Sequence, residues 1–292
     1  MKKNILLSFI IPAHNEEKTI AQVLNPIFFQ IKDLKEKCEV IVVNDGSNDR
    51  TVEIIKNLKY KIKLLNFEKG HSAAFSRNRG AEQAKGKYLI FLDADQIIED
   101  NFVNNLVSLI TKQDYEALSY FVYSYKPKTI FQRAWVAFRK VHLCRGFIFR
   151  KDIFDKLKFD ERLFYIEDND LWDRFKSAGY KLTDTGFKIY HIDTESLDDF
   201  IRQRKWHGRG ILCGLLVKKK IYFLRYFAPC ILIFFAYFSL WFLIAYLFLM
   251  WVYFSIRSKD PINSFLWVII DYIGRFISLF YFLKELILRK LV

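Results

Sequence analysis

Glu39-Val40-Ile41-Val42-Val43-Asn44-Asp45-Gly46-Ser47-Asn48-Asp49-Arg50-Thr51 runs from a short β-branched stretch into a cluster of turn formers. Four consecutive β-branched residues suit a buried strand, and the run is too short for a helix. Asp-Gly is also a hairpin signal. The residues that follow, 51–58, carry a helical pattern, which favours a strand-loop-helix in which Asp45 reaches a ligand and Ser47 or Asp49 caps the helix.

The same rhythm extends to both sides. Strand-like runs at 6–11, 39–43, 62–65 and 88–92 alternate with helical patterns at 17–31, 51–58 and 72–84. Regular alternation implies right-handed βαβ crossovers, hence an α/β fold with a mainly parallel sheet covered by helices on both faces. Ligands of such sheets bind at the carboxyl ends of the strands. That rule selects the polar stretches after the strands. Pro12-Ala13-His14-Asn15-Glu16-Glu17 follows the first strand, where Asn15 is either a helix cap or a ligand contact. Asp45 follows the second. Phe91-Leu92-Asp93-Ala94-Asp95-Gln96 ends a strongly apolar strand, and two carboxylates one residue apart are either turn residues or a pair that faces a hard divalent cation. Ile166-Glu167-Asp168-Asn169-Asp170-Leu171-Trp172 enters a helix, where acids also suit the helix dipole.

Taken in order, these motifs resemble the family 2 glycosyltransferases, inverting enzymes of GT-A fold, over about residues 7–190. The residues that carry the resemblance are Ile11-Pro12-Ala13-His14-Asn15-Glu16-Glu17, Val42-Val43-Asn44-Asp45-Gly46-Ser47-Asn48-Asp49-Arg50-Thr51, Ser76-Arg77-Asn78-Arg79-Gly80, Phe91-Leu92-Asp93-Ala94-Asp95 and Glu167-Asp168-Asn169-Asp170-Leu171. The resemblance implies a UDP- or GDP-linked sugar donor whose nucleotide is held by Pro12, Asn15, Glu16 and Asp45, with Arg77 and Asp93 nearby. It implies a Mn2+ or Mg2+ ion at Asp93 and Asp95, joined by His191, and Asp168 as the base that takes the acceptor's proton, with Glu167 shaping its surroundings. Asn44 stands where many relatives have a further Asp. Gly146 matches a small residue of the acceptor pocket, or is a turn residue. Arg202, Arg204 and Trp206 resemble the Gln-x-x-Arg-Trp motif of processive synthases, but Lys205 stands where that pattern has Arg. Their cations form either a lipid-phosphate clamp or a solvated helix face.

The composition adds a second theme. A net charge of +14 and a pI near 9.4 suit nucleic acid, anionic lipid or a phosphorylated substrate. Lys218, Lys219, Lys220 and Arg225 sit just before an uncharged run, 226–256, which favours a membrane surface over nucleic acid. That run is long enough to span a bilayer of roughly 30 Å. A second apolar segment, 265–283, carries Asp271 and Arg275, one turn apart and able to neutralise each other. It is expected to close a helical hairpin, or to lie in the interface as an amphipathic helix. The expected organisation is a catalytic domain over 1–217, with interfacial helices near 129–142 and 196–216, and an anchor over 218–292. The segment 130–141 places Ile130, Phe131, Ala134, Trp135, Phe138 and Val141 on one helical face, for a core or for the bilayer.

Cys38, Cys144, Cys213 and Cys230 show neither metal-ligand nor disulfide spacing. The first apolar run is too short for a signal sequence, so a multi-pass membrane protein with a cytoplasmic catalytic domain is expected. The leading function is transfer of one sugar to a lipid-linked, polyprenyl-phosphate-type acceptor. A processive polysaccharide synthase and a non-catalytic nucleotide-sugar binding module are the alternatives.

Overall fold

The computed structural model describes residues 5–142, 144–164, 166–218 and 240–290. The chain divides into two units. The first comprises Met1–Tyr125, Cys144–Glu161 and Glu167–Ile192. It holds an eight-stranded sheet ordered β3-β2-β1-β4-β7-β6-β8-β5. The strands are β1 (Leu7–Ala13), β2 (Cys38–Asp45), β3 (Ile62–Phe67), β4 (Tyr88–Phe91), β5 (Gln96–Ile98), β6 (Ala117–Ser124), β7 (Arg145–Arg150) and β8 (Leu182–His191). Helices α1 (Ile20–Ile31), α2 (Thr51–Asn57), α3 (Ala73–Gln83), α4 (Phe102–Lys112), α6 (Lys151–Leu157) and α7 (Glu167–Ser177) belong to the same unit.

β1 lies between β2 and β4, parallel to both, and its Leu7, Phe9, Ile10 and Ile11 are fully buried. A strand covered on both faces reads as a continuous apolar run, which is how the sequence presents it. The expected alternation holds through β4. Beyond it β7 pairs antiparallel with β4 and β6, and β5 antiparallel with β8, while β6 and β8 are parallel. The sheet is therefore mixed, with its parallel strands β3, β2, β1 and β4 forming one side.

Glycine sets the spacing of α3. A Cβ on Gly80 would stand 2.4 Å from Ile10 Cγ2 and 3.3 Å from Val43 Cγ2, both on fully buried residues. Only hydrogen at this position lets α3 rest on β1 and β2 at the observed distance.

The second unit comprises Lys126–Leu143, Arg162–Ile166 and Asp193–Val292. Its helices are α5 (Ile130–His142), α8 (Leu197–Lys218), α9 (Leu240–Ser258) and α10 (Pro261–Lys290). The helices expected as interfacial parts of the catalytic domain thus group with the C-terminal segment, because their apolar faces pack there. Trp135 and Phe138 of α5 meet Trp267 of α10, with ring centroids 4.7 and 4.5 Å apart. Arg139 and Asp193 form a buried pair at 2.6 Å. Of the long uncharged run, 226–239 lies outside the described residues, as do Lys219, Lys220 and Arg225. Among the described residues Pro261–Leu288 is, by length and composition, the one helix that can cross a membrane.

Gly80→Ala is expected to cost about 1–3 kcal/mol by overpacking. Combining it with Ile10→Ala should cost less than the sum of the two single changes, as read by urea denaturation in detergent.

Candidate active site

The loops after β1 and β2 are sewn together by backbone donors and side-chain oxygens. Asn15 N donates to Ser47 Oγ at 3.0 Å, Asn48 N to Asn15 Oδ1 at 2.8 Å, Glu16 N to Thr51 Oγ1 at 2.7 Å and Glu17 N to Asp49 Oδ2 at 3.1 Å. Asn15 adopts a left-handed conformation at φ 60° and is not the helix cap; α1 begins at Ile20, because the preceding turn is committed to the other loop. Pro12 lies within β1, paired with Val43.

Asp45 closes β2 and is 7 % exposed. Its two carboxylate oxygens each lie 3.0 Å from His71 N, and Oδ1 lies 2.9 Å from His71 Nδ1. Its carbonyl lies 2.7 Å from His14 Nδ1. Gly46, at φ +71°, has room for nothing larger, since a Cβ would lie 2.6 Å from Gly70 N. The strand-end rule therefore holds at β3 as well, where His71 follows the strand. No local motif marks His71, although the same rule points to it. Asn44 donates to Asn66 Oδ1 at 2.7 Å and so faces β3.

The second cluster is built on Arg77 of α3, which is 6 % exposed. Its Nη2 donates to Asp93 Oδ1 at 2.7 Å, its Nη1 to Glu167 Oε1 at 2.9 Å, and Asp168 Oδ1 lies 3.5 Å from Nη1. Burial works against the charge, but Asp168, Asp93 and Glu167 more than offset it and hold the guanidinium well above its ordinary range. Arg77 thus spends its donors on the carboxylates of two other motifs. Asn78 clamps the chain that leads into α7: its Nδ2 donates to Phe159 O and its Oδ1 accepts from Phe159 N, both at 3.0 Å. That bridge was also unread in the sequence.

The four carboxylates have different surroundings. Asp93 is held at both oxygens, since Gln96 Nε2 donates to its Oδ2 at 2.9 Å while Arg77 holds Oδ1. Glu167 is 4 % exposed and anchored on Arg77. Asp168 keeps 58 % of its side chain open to solvent. Desolvation and the charges of Glu167 and Asp93 raise its carboxyl above the ordinary Asp range against the pull of Arg77, and nearby water moderates the rise. Asp95 lies beside His191, with 3.3 Å between Oδ2 and Nε2. β8 delivers that contact: Ile192 N donates to Asp95 O at 2.8 Å, and His191 pairs with Gln96.

Glu16 completes the acidic surroundings. Burial first, then the charge on Asp95, with Asp93 and Asp49 adding, pushes its carboxyl up to about 7 against a hydrogen bond from Thr19. Such an excess of negative charge suits a cation. No group of three or more His, Cys, Asp or Glu residues converges on one point among the described residues. Asp95 and His191 are two groups that could serve as protein ligands, and Mg2+ and Mn2+ characteristically complete their shells with water and phosphate oxygens. The residues present fit an ion shared with a diphosphate.

Gly146 lies opposite Tyr120 in the β6/β7 ladder, and a Cβ there would fall 2.2 Å from the Tyr120 ring. The tyrosine hydroxyl donates to Phe91 O at 2.8 Å, two residues before Asp93. In the second unit, Arg202 pairs with Asp199 at 2.8 Å, and Arg204 is 7 % exposed beneath Phe200 and Trp135. Trp206 lies within α8, but its side chain is outside the described residues.

Two outcomes follow from these charges. Glu16 holds its proton more tightly folded than unfolded, so its contribution to stability is complete below its unfolded value of 4.5 and is lost as the pH rises through about 7. In chelator, Glu16→Gln should be more stable than the parent by about 1–3 kcal/mol at pH 8 and equal to it near pH 4, measured by urea titration. Arg77→Met should cost about 3–5 kcal/mol by the same measurement, since it strands buried carboxylate charge.

A family profile described as Glycosyl transferase family 2 matches residues 8–173, more than half of the 292-residue chain. An uncharacterized glycosyltransferase of Methanocaldococcus jannaschii is 26 % identical over 74 % of this chain and 76 % of its own length. A dolichyl-phosphate beta-glucosyltransferase of Dictyostelium discoideum is 32 % identical over 38 % of each chain. A poly-beta-1,6-N-acetyl-D-glucosamine synthase of Staphylococcus epidermidis is 35 % identical over 32 % of this chain and 23 % of its own, so the match spans under a quarter of that relative. The solved structure of TarS residues 1–349 from S. aureus, in complex with UDP-GlcNAc, shares the fold with a TM-score of 0.53 at 21 % identity, over 71 % of this chain and 67 % of that one. With these matches joined to the strand-end motifs, the chain belongs to glycosyl transferase family 2 and has its GT-A fold.

Proposed function

We propose that the chain transfers a hexose from a nucleoside diphosphate donor, UDP- or GDP-linked, to a polyprenyl-phosphate-linked acceptor, with inversion at the anomeric carbon. The observation that carries this reading is the meeting on Arg77 of Asp93 with Glu167 and Asp168, two motifs distant in the sequence. One motif belongs to donor activation and the other to acceptor activation. A dolichyl-phosphate glucosyltransferase and a UDP-GlcNAc complex among the similar proteins agree with both halves.

Asp45, fixed by His71, and the loop around Asn15 and Glu16 hold the nucleotide. Asp95 and His191, with Asp93 two residues away in sequence from Asp95, would hold Mn2+ or Mg2+, which would supply positive charge to a departing diphosphate. Arg77 keeps Asp93 and Glu167 in place at the cost of two buried charges. Asp168 faces solvent and takes the proton of an acceptor hydroxyl at its carboxylate oxygen. It must be ionised to do so, and its raised value places the acid limb of the rate above the ordinary Asp range. When the acceptor is itself an ionised phosphate, Asp168 orients rather than deprotonates. In this reading the apolar C-terminal segment attaches the chain to the cell membrane, with the catalytic unit on the cytoplasmic side.

A second reading, a chain-extending synthase, draws on the poly-N-acetylglucosamine synthase relative. Product length from a single acceptor separates the two.

Membranes incubated with a panel of UDP- and GDP-sugars and manganese should yield one labelled, solvent-extractable lipid. Asp95→Ala is expected to abolish that transfer with the melting temperature held, and undiminished turnover would remove the metal assignment. For a hydroxyl acceptor, Asp168→Asn should lower kcat by about 10²–10⁴.

A further inference from the structure

We propose that α10 lies along the bilayer surface on the side that holds the catalytic strands, and that the turn joining α9 to α10 faces that side too. This rests on the membrane attachment proposed above and replaces the spanning hairpin expected from the sequence.

The covalent links of α5 supply the first step. β6 ends at Ser124, α5 occupies Ile130–His142 and β7 begins at Arg145. A helix of that length extends about 20 Å, and the chain returns to the same sheet at once. It cannot have crossed a hydrocarbon core of roughly 30 Å, so α5 is on the catalytic side. Within the second unit α5 holds the turn: Lys140 Nζ lies 3.9 Å from Asp260 Oδ2, and the rings of Phe138 and Trp135 lie tilted against Trp267. Whatever side α5 occupies, the turn occupies as well.

The partner of α10 supplies the second step. α8 starts at Leu197, shortly after β8 ends at His191, and runs beside α10 in the same direction. A Cβ on Gly274 would touch Phe200 and Arg204, one on Gly208 would lie 2.3 Å from Ser278 O, and Lys205 Nζ sits 5.4 Å above the Tyr281 ring. This stretch carries Arg202, Arg204 and Lys205 on α8, and on α10 the pair Asp271–Arg275 at 2.7 Å. Carrying these charges to mid-bilayer costs about 2.5–3.5 kcal/mol apiece, reduced for the neutralised pair. At the interface the cost is avoided.

The pattern of exposure agrees. Ile262, Phe265, Ile273, Phe280, Leu283 and Ile287 are 42–75 % exposed and recur at helical spacing along one stripe of α10. Its other face, with Ser264, Trp267, Gly274, Ser278 and Phe282, is buried in the unit. One apolar stripe left open on a helix whose other face is packed within its own unit is the form of an interfacial helix. Charge points the same way. Of the 46 Lys and Arg in the chain, 20 lie in the second unit with 7 of the 32 Asp and Glu, whereas the first unit is nearly balanced. Arg257 and Lys259 at the turn and Lys284 near the C-terminus belong to that excess, and such cations are kept on the cytoplasmic side.

The test uses the full-length chain in intact cells and in sealed inverted vesicles, treated with a membrane-impermeant thiol reagent. Lys259→Cys and Lys284→Cys are compared with Lys61→Cys, an exposed position of the first unit, and with the parent chain for its native cysteines. Both should react with the same sidedness as Lys61→Cys. Lys259→Cys reacting from the opposite side would restore the spanning hairpin, Lys284→Cys doing so would make α10 cross, and reactivity of either only after detergent would bury it. Each of these overturns the proposal. Carbonate extraction of the same membranes reports attachment separately: a chain recovered in the soluble fraction would remove the membrane reading itself.

Discussion

A single buried cation organises the catalytic unit. Arg77 is taken out of water by the packing of α3, and a guanidinium in that position is tolerable only with carboxylates around it. Asp93, Glu167 and Asp168 meet this demand, and in doing so two segments far apart in the sequence are drawn to one point. The position of Arg77 depends in turn on Gly80, which allows α3 to approach β1 and β2, and on Asn78, which fixes the chain at Phe159. The neighbouring residues of one helical turn thus divide the work of packing, bridging and charge.

Around this cation, acids of the same type are sorted by their surroundings. Glu167 is buried and paired, Asp93 is held from both oxygens, Asp95 shares a contact with an imidazole, and Asp168 alone of the four keeps most of its side chain in solvent. An acid that exchanges protons with solvent or a ligand has to be accessible, and one that must hold a guanidinium has to be still. The acidic motif in the first turn of α7 carries both kinds in adjacent residues, which a helix makes possible by pointing successive side chains about 100° apart.

Much of this was legible before any coordinates. Val40, Ile41, Val42 and Val43 announce a buried strand, and the rule that ligands gather at strand ends led to Asp45, Asp93, Asp95 and Asp168. Parallel strands report themselves well because burial on both faces leaves a continuous apolar run. The antiparallel side does not, and the pairing of β7 between β4 and β6 depends on contacts remote in sequence. Long-range side-chain bridges were hidden for the same reason: nothing in the local pattern ties His71 to Asp45, or Asn78 to Phe159. Asn15 illustrates a different limit. Its residue type suits a helix cap, but the neighbouring loop competes for it and wins. The helices α5 and α8 have apolar faces that periodicity detects, though periodicity does not say which partner covers them.

Tyr120 and Gly146 face each other across two antiparallel strands, the ring of one lying where the side chain of the other would be. A side chain at 146 and a phenol at 120 therefore exclude each other. Enlarging residue 146 evicts the phenol before it narrows any sugar pocket, and the carbonyl of Phe91 then loses its donor just upstream of the acidic turn. A change at residue 146 would therefore be felt at the turn that carries Asp93 and Asp95, on the far side of the tyrosine.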